Sequence, residues 1–210
     1  MKKIKPLFIV DRDANLATEQ VHPDAHWVIE GEGLATIKYD GTPALIKEGV
    51  LYKRWNRSLQ KHNIREWRRS GKENVPPIEH FKSVPEGAIQ LEAAPAPVTL
   101  HFPYWVPVGE DDQRFTEALN NAGNLPDGTY ELVGPKVQNN KYSLGRHELW
   151  RHGSEVVEIP DLSYEGVRNF LASLNAEGIV WHRDNGDMIK IRRSHFDLEW
   201  KNRKGSVPIT

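Results

Sequence analysis

The chain has 210 residues, 38% of them apolar and 27% charged, with a formal net charge of -1, a mean hydropathy of -0.63 and no cysteine. These values exclude a disulfide or thiolate-metal scaffold, a helical membrane span (no run of 18 apolar residues) and a chain too polar to bury a core. A single domain over 1–210 is expected. The short apolar run near the N-terminus is broken by Asp11, Arg12 and Asp13, which suits a cytoplasmic chain without a signal peptide.

Residues 27–54 alternate apolar and polar positions, with Gly41-Thr42-Pro43 and Lys47-Glu48-Gly49 as turn chemistry. This predicts a strand, a turn, a strand, a tight hairpin and a third strand. Residues 58–70 show helical spacing through Leu59, Ile64 and Trp67, stopped by Gly71. Residues 73–87 read as loop. Residues 88–108, rich in proline and aromatics, read as an irregular segment over the core. A short helix is predicted from Gln113 to Asn-Ala-Gly at 121–123. Residues 125–135 read as a turn entering a strand, and 147–153 as a strand with a glycine stop. Residues 162–176 predict an amphipathic helix capped by Ser163, with Val167, Phe170, Leu171 and Leu174 as its stripe. Residues 177–194 predict a hairpin around Asp-Asn-Gly. Mostly antiparallel strands with a few helices indicate an α+β fold.

Charge is unevenly spread. Lys53, Arg54, Arg57, Lys61, Arg65, Arg68, Arg69 and Lys72 face only Glu66 in opposition. A second basic cluster runs from Lys190 through Arg192 and Arg193 to a tail (201–210) with Lys201, Arg203 and Lys204. Such clusters suit a solvated face or a local phosphate surface. Lys38 precedes Asp40-Gly41 by two residues. This Lys-x-Asp-Gly order suits an edge lysine before a turn as well as a nucleophile. In the late hairpin, Lys190 and Arg192 share a strand face opposite a strand opened by Glu177. A carboxylate for a divalent ion with two cations for a polyphosphate is one reading, and ordinary cross-strand pairing the other. Glu131 lies among apolar neighbours and needs a partner, either a ribose hydroxyl or a core arginine.

Taken in order, Lys38–Thr42, Leu51–Arg54, Trp105–Val108, Tyr130–Lys136, His152-Gly153, Glu177–Trp181 and Lys190–Arg192 resemble the motif set of the covalent nucleotidyltransferase superfamily of polynucleotide ligases and mRNA capping enzymes. The set is most similar to the compact single-domain ATP-dependent RNA ligases. The resemblance spans roughly 27–200. It implies an ATP-grasp-like nucleotidyltransferase core of antiparallel sheets with flanking helices. With only 18 residues after Arg192, no C-terminal OB-fold is expected.

The resemblance also implies roles. Lys38 would attack the α-phosphate of ATP and become lysyl-AMP. Ile37 would offer main-chain groups to adenine, with Asp40 and Gly41 completing the nucleotide motif. Arg54 would contact a phosphate, Glu131 the ribose, and His152 (or Trp150 on the same face) would stack on adenine. Glu177 would position Mg²⁺ or Mn²⁺. Lys190 and Arg192 would bind the α-phosphate and the leaving pyrophosphate. The adenylate would pass to an RNA 5′-phosphate, and a 3′-hydroxyl would seal the strand, a chemistry of RNA repair. Arg57, Arg65, Trp67, Arg68 and Arg69 are candidates for holding RNA. A capping-type enzyme using GTP, or a non-catalytic RNA- or nucleotide-binding module, is the rival. Pro43 stands where many relatives carry arginine.

Overall fold

The computed structural model describes residues 4–11, 13–71, 74–97 and 99–200; Lys72 and the expected basic tail lie outside them. In chain order the strands are β1 (Lys5–Pro6), β2 (Phe8–Val10), β3 (Ala17–Val21), β4 (Leu34–Lys38), β5 (Thr42–Lys47), β6 (Val50–Asn56), β7 (Ile89–Gln90), β8 (Pro103–Pro107), β9 (Gly128–Val133), β10 (Glu148–Arg151), β11 (Gly178–His182) and β12 (Met188–Arg192). The helices are α1 (His26–Ile29), α2 (Lys61–Arg69), α3 (Gln113–Ala122) and α4 (Tyr164–Ser173).

Two sheets matter for the site. The smaller has the order β1-β12-β11-β4, antiparallel except that β1 runs parallel to β12. The larger is antiparallel throughout, in the order β10-β9-β5-β6-β8-β7. β2 and β3 form a separate pair. The fold is α+β, with helices packed on the outer faces.

The pleat explains the layering. Along β4, β11 and β12, Ala35, Ile179, Trp181, Ile189 and Ile191 point to one core, where they meet Val167 and Leu171 of α4 and Phe8 of β2. Each fully buried Ile or Leu there contributes on the order of 2 kcal/mol. α4 starts as its sequence requires, with Ser163 Oγ accepting from the Gly166 amide at 3.1 Å. In the larger sheet, Ala44, Ile46, Tyr130 and Leu132 pack on Phe115 and Ala118 of α3. α2 leans Ile64 and Trp67 on a third cluster containing Phe81, Phe102 and Tyr104.

One sequence expectation needs correction. Residues 103–107 are not irregular: they form β8, a largely buried strand paired with β6. Pro103 and Pro107 bound that strand, where proline is tolerated, and this hid it. The turn expected at Asp40-Gly41 is present, between two strands that do not pair with each other. It carries the chain from β4 in one sheet to β5 in the other. The next turn is the expected hairpin, with Glu48 (φ 53°) and Gly49 (φ 75°) both left-handed, as a two-residue turn between twisted strands demands. No helix among the described residues is long and apolar enough to cross a membrane.

Candidate active site

The face of the smaller sheet opposite its core forms one wall of a cleft of ≈ 780 Å³. Register sets its rows. Lys38, Gly178 and Arg192 lie side by side, then Thr36, Val180 and Lys190, then Leu34, His182 and Met188. Gly178 has no side chain, so the first row has a gap between its two cations. The carboxylate of Glu177, one residue earlier, fills it. One Glu177 oxygen is ion-paired with Lys38 Nζ, and the other lies 2.9 Å from Arg192 Nε. The Glu177 carbonyl accepts from the Arg193 amide at 2.9 Å, which fixes the backbone there. A Cβ on Gly178 would fall 2.0 Å from the Ile191 carbonyl oxygen, so the row needs glycine.

The opposite wall comes from the larger sheet. Glu131 and Thr129 of β9, Pro43 of β5 and Arg54 of β6 face the cleft, joined by His152 just after β10. Glu131 is only 7% exposed, and its Oε2 lies 2.7 Å from His152 Nε2. The residue expected on ribose and the one expected on adenine are therefore partners in this state. The Arg54 guanidinium lies 5.5 Å from the Trp105 ring centroid. Burial draws its pKa below the ordinary arginine value, against the opposing pull of Glu92.

The junction between the walls is packed tightly. The Asp40 amide donates to the Tyr142 hydroxyl at 2.8 Å. A Cβ at Gly41 would fall 2.2 Å from the Leu132 carbonyl oxygen, so this turn presses directly on β9. Burial, and then the nearby Glu177 and Glu131 carboxylates, push the Asp40 carboxyl up to about 6 against the pull of Lys38. Tyr39 donates to Glu155 at 3.0 Å, and burial chiefly pushes its hydroxyl up to about 12.

The sequence candidates separate cleanly. Ile37, Lys38, Arg54, Glu131, His152, Lys190 and Arg192 line one cleft, with Asp40, Gly41 and Glu177 at its charged end. The Ile37 amide already donates to the Glu155 carbonyl at 2.9 Å, so that hydrogen is not presented to a base. Trp150 is not the cleft aromatic: it packs on Tyr39 and Tyr142 at centroid distances of 5.0 and 4.6 Å. Arg57 is a strut, donating to the Lys82 carbonyl at 2.7 Å and lying over Phe81 and Phe102. Trp67 is a packing anchor, half-buried in the α2 cluster with Nε1 donating to the Asn74 carbonyl at 3.1 Å. Arg65, Arg68 and Arg69 are exposed on α2, outside the cleft lining. Residues that sequence reasoning missed also line it, notably Thr36, His101 and His182. For His182 the strand alternation carried the signal, since Val180 and His182 share a face.

Among the described residues, no group of three His, Asp or Glu side chains is arranged around a metal position. The oxygen donors present, Glu177 and Asp40, suit a hard divalent ion that takes its remaining ligands from phosphates and water.

Comparison with known proteins adds to this geometry. A family model described as RNA ligase 1 matches residues 117–208, which contain the Glu131, His152, Glu177, Lys190 and Arg192 positions but not Lys38. RNA ligase 1 of Danio rerio is 29% identical, that of Rattus norvegicus 28% and that of Pongo abelii 26%. Each alignment covers 88% of this chain and 74% of the relative.

Proposed function

We propose, from the premise that this chain belongs to the RNA ligase family of covalent nucleotidyltransferases, that it is an ATP-dependent RNA ligase acting through lysyl-AMP. The observation that carries the reading is the shared row of Lys38 and Arg192 around Gly178, set across one cleft from Glu131 and His152. We read the two-sheet core as an ATP-grasp-like adenylation domain of a cytoplasmic protein.

The unprotonated Lys38 amine attacks the α-phosphorus of ATP. A P–N bond forms and the P–O bond to pyrophosphate breaks. Glu177, paired with the Lys38 ammonium in this state, holds the side chain in the cleft, and the ammonium gives its proton to water before attack. Lys190 and Arg192 stand on the same wall to meet the charge developing on the phosphates, as phosphoryl-type transfer requires. Arg54 offers a fixed cation from the opposite wall. Glu131 and His152 would exchange their mutual hydrogen bond for contacts to ribose and base. A bound Mg²⁺ or Mn²⁺, held by Glu177 and Asp40, would add charge neutralisation. The 5′-phosphate of RNA then accepts the adenylate, and a 3′-hydroxyl displaces AMP to seal the strand.

The test is to incubate the protein with α-labelled ATP and Mg²⁺ or Mn²⁺, denature it, and look for label on the chain. Label that disappears in Lys38→Ala, and that moves to 5′-phosphorylated RNA on addition, supports the reading. Absence of covalent label from the folded protein would sink it.

A further inference from the structure

The two ends of the cleft differ in chemistry. Lys38, Glu177 and Arg192 gather charge at one end. Two rows along β4, about 14 Å by strand rise, the lining turns apolar with Leu34 and Met188. Between them on β11 is His182, half-buried and unused by the mechanism above. It stands beside the Glu131–His152 pair: a side chain on Gly153 would come to 4.0 Å from both His182 Cε1 and Nε2.

Two contacts fix the protonation of this ring. Thr36, 1% exposed, has its Oγ1 3.2 Å from the Val180 carbonyl oxygen and 3.0 Å from His182 Nε2. A carbonyl only accepts. For both contacts to be hydrogen bonds, the single Thr36 hydroxyl proton goes to Val180, and Thr36 accepts from His182. The ring hydrogen is therefore on Nε2, and Nδ1 is left as an acceptor. Thr36 is the hydrogen-bond partner of this ring among the described residues. Burial, with His152 nearby, also holds the imidazole pKa below its ordinary value, which keeps the ring neutral.

A fixed acceptor discriminates between purines. At C6 adenine carries an amino donor, and guanine carries a carbonyl acceptor. The first can bond to Nδ1, whereas the second sets two lone pairs against each other. We propose that His182, held in one tautomer by Thr36, selects adenine over guanine nucleotides in this cleft. The inference rests on the nucleotide reading given above. His182 touches the base, and Thr36 is a positioning residue acting through it.

The experiment measures equilibrium binding of ATP, GTP and purine riboside triphosphate, which has no substituent at C6, to the full chain with Mg²⁺. Covalent labelling is read on the same preparations. The wild type binds ATP about a hundredfold tighter than GTP, with the purine analogue between them. His182→Phe lowers ATP affinity about tenfold and leaves the purine analogue unchanged. Thr36→Val, which keeps the side-chain shape, erodes the ATP preference, and Thr36→Ser restores it; this pair carries the test if His182→Phe does not fold. Selectivity that depends on His182 without covalent label overturns the ligase reading and leaves this inference standing. Label with the same ATP-to-GTP ratio in wild type and the variants overturns the inference alone. Equal binding of the two nucleotides by the wild type does the same, and failure to bind either overturns both.

Discussion

Lys38 and Glu177 form an ion pair across neighbouring strands, with both side chains less than a fifth exposed. Arg192 shares the same carboxylate. Glu177→Gln leaves two cations side by side with a neutral partner. The expected cost is about 1–3 kcal/mol of stability, since removing one member of a largely buried set strands the others. Lys38→Ala relieves no such crowding and is expected to lose covalent nucleotide transfer by about a thousandfold or more. Denaturant unfolding separates the two effects from a labelling assay. Equal stability of Glu177→Gln and wild type would contradict the first.

Gly178→Ala places a methyl group 2.0 Å from the Ile191 carbonyl oxygen and 3.0 Å from Arg192 Cα. Both obstacles are backbone, so neither can turn aside. We expect a loss of about 2–4 kcal/mol and displacement of Arg192 from Lys38. Gly41→Ala meets the Leu132 carbonyl oxygen at 2.2 Å and should behave alike. Gly31→Ala has nothing within 4 Å, though its positive φ adds some strain, and is the control expected to fall by about 1–2 kcal/mol at most. A melting series that ranks Gly31→Ala as the most damaging of the three would refute the packing argument.

Acid response should expose two opposed groups. Asp40 titrates near 6 in the folded protein against 3.8 for an ordinary aspartate. Between those values the folded state keeps a proton that the unfolded chain has released, so Asp40 makes stability fall as pH rises through the window. After discounting for solvent screening, its share is about 1 kcal/mol. His195 runs the other way. Burial, then Arg192 and Lys190, hold it near 4 against 6.5, so the unfolded chain binds the proton first and stability rises with pH from 4 to 6.5. Asp40→Asn should therefore steepen the rise between pH 4 and 6, and His195→Gln should flatten or invert it. Parallel stability curves for the three proteins would count against both assignments.

The arginines of the 57–69 region should divide into two kinds. Arg57→Ala removes a 2.7 Å hydrogen bond and two aromatic contacts, and should cost about 1–2 kcal/mol. Replacing exposed Arg65, Arg68 and Arg69 with glutamine should leave stability within about 0.5 kcal/mol. If these three hold RNA, binding weakens and its dependence on log salt becomes shallower by about 0.7 for each phosphate that is no longer neutralised. Unchanged RNA affinity and salt slope in the triple variant would remove α2 from the nucleic-acid surface.

Much of this site was legible because strands have a period of two. Lys190 and Arg192 had to share a face, and the Ser163 cap and the Glu48-Gly49 turn carry their own local chemistry. Pairings across long separations were not legible. Lys38 meets Glu177 139 residues away, and Thr36 meets His182 146 residues away. Periodicity could not choose between Trp150 and His152, which share a face. Tyr39 and Tyr142, from other parts of the chain, close over Trp150, while His152 lines the cleft. Nor could a turn signal reveal that Asp40-Gly41 links two sheets, because hairpins and crossings between sheets use the same residues there.

That crossing has a mechanical consequence. Lys38 sits at the vertex where the two walls are covalently joined, while Leu34 and Met188 lie at the far lip. When one sheet swings against the other about this corner, displacement grows with distance from it. A motion of that kind would shift the Lys38 amine least, so on the proposed function its position would hold while the far end of the cleft opened to a bulky base.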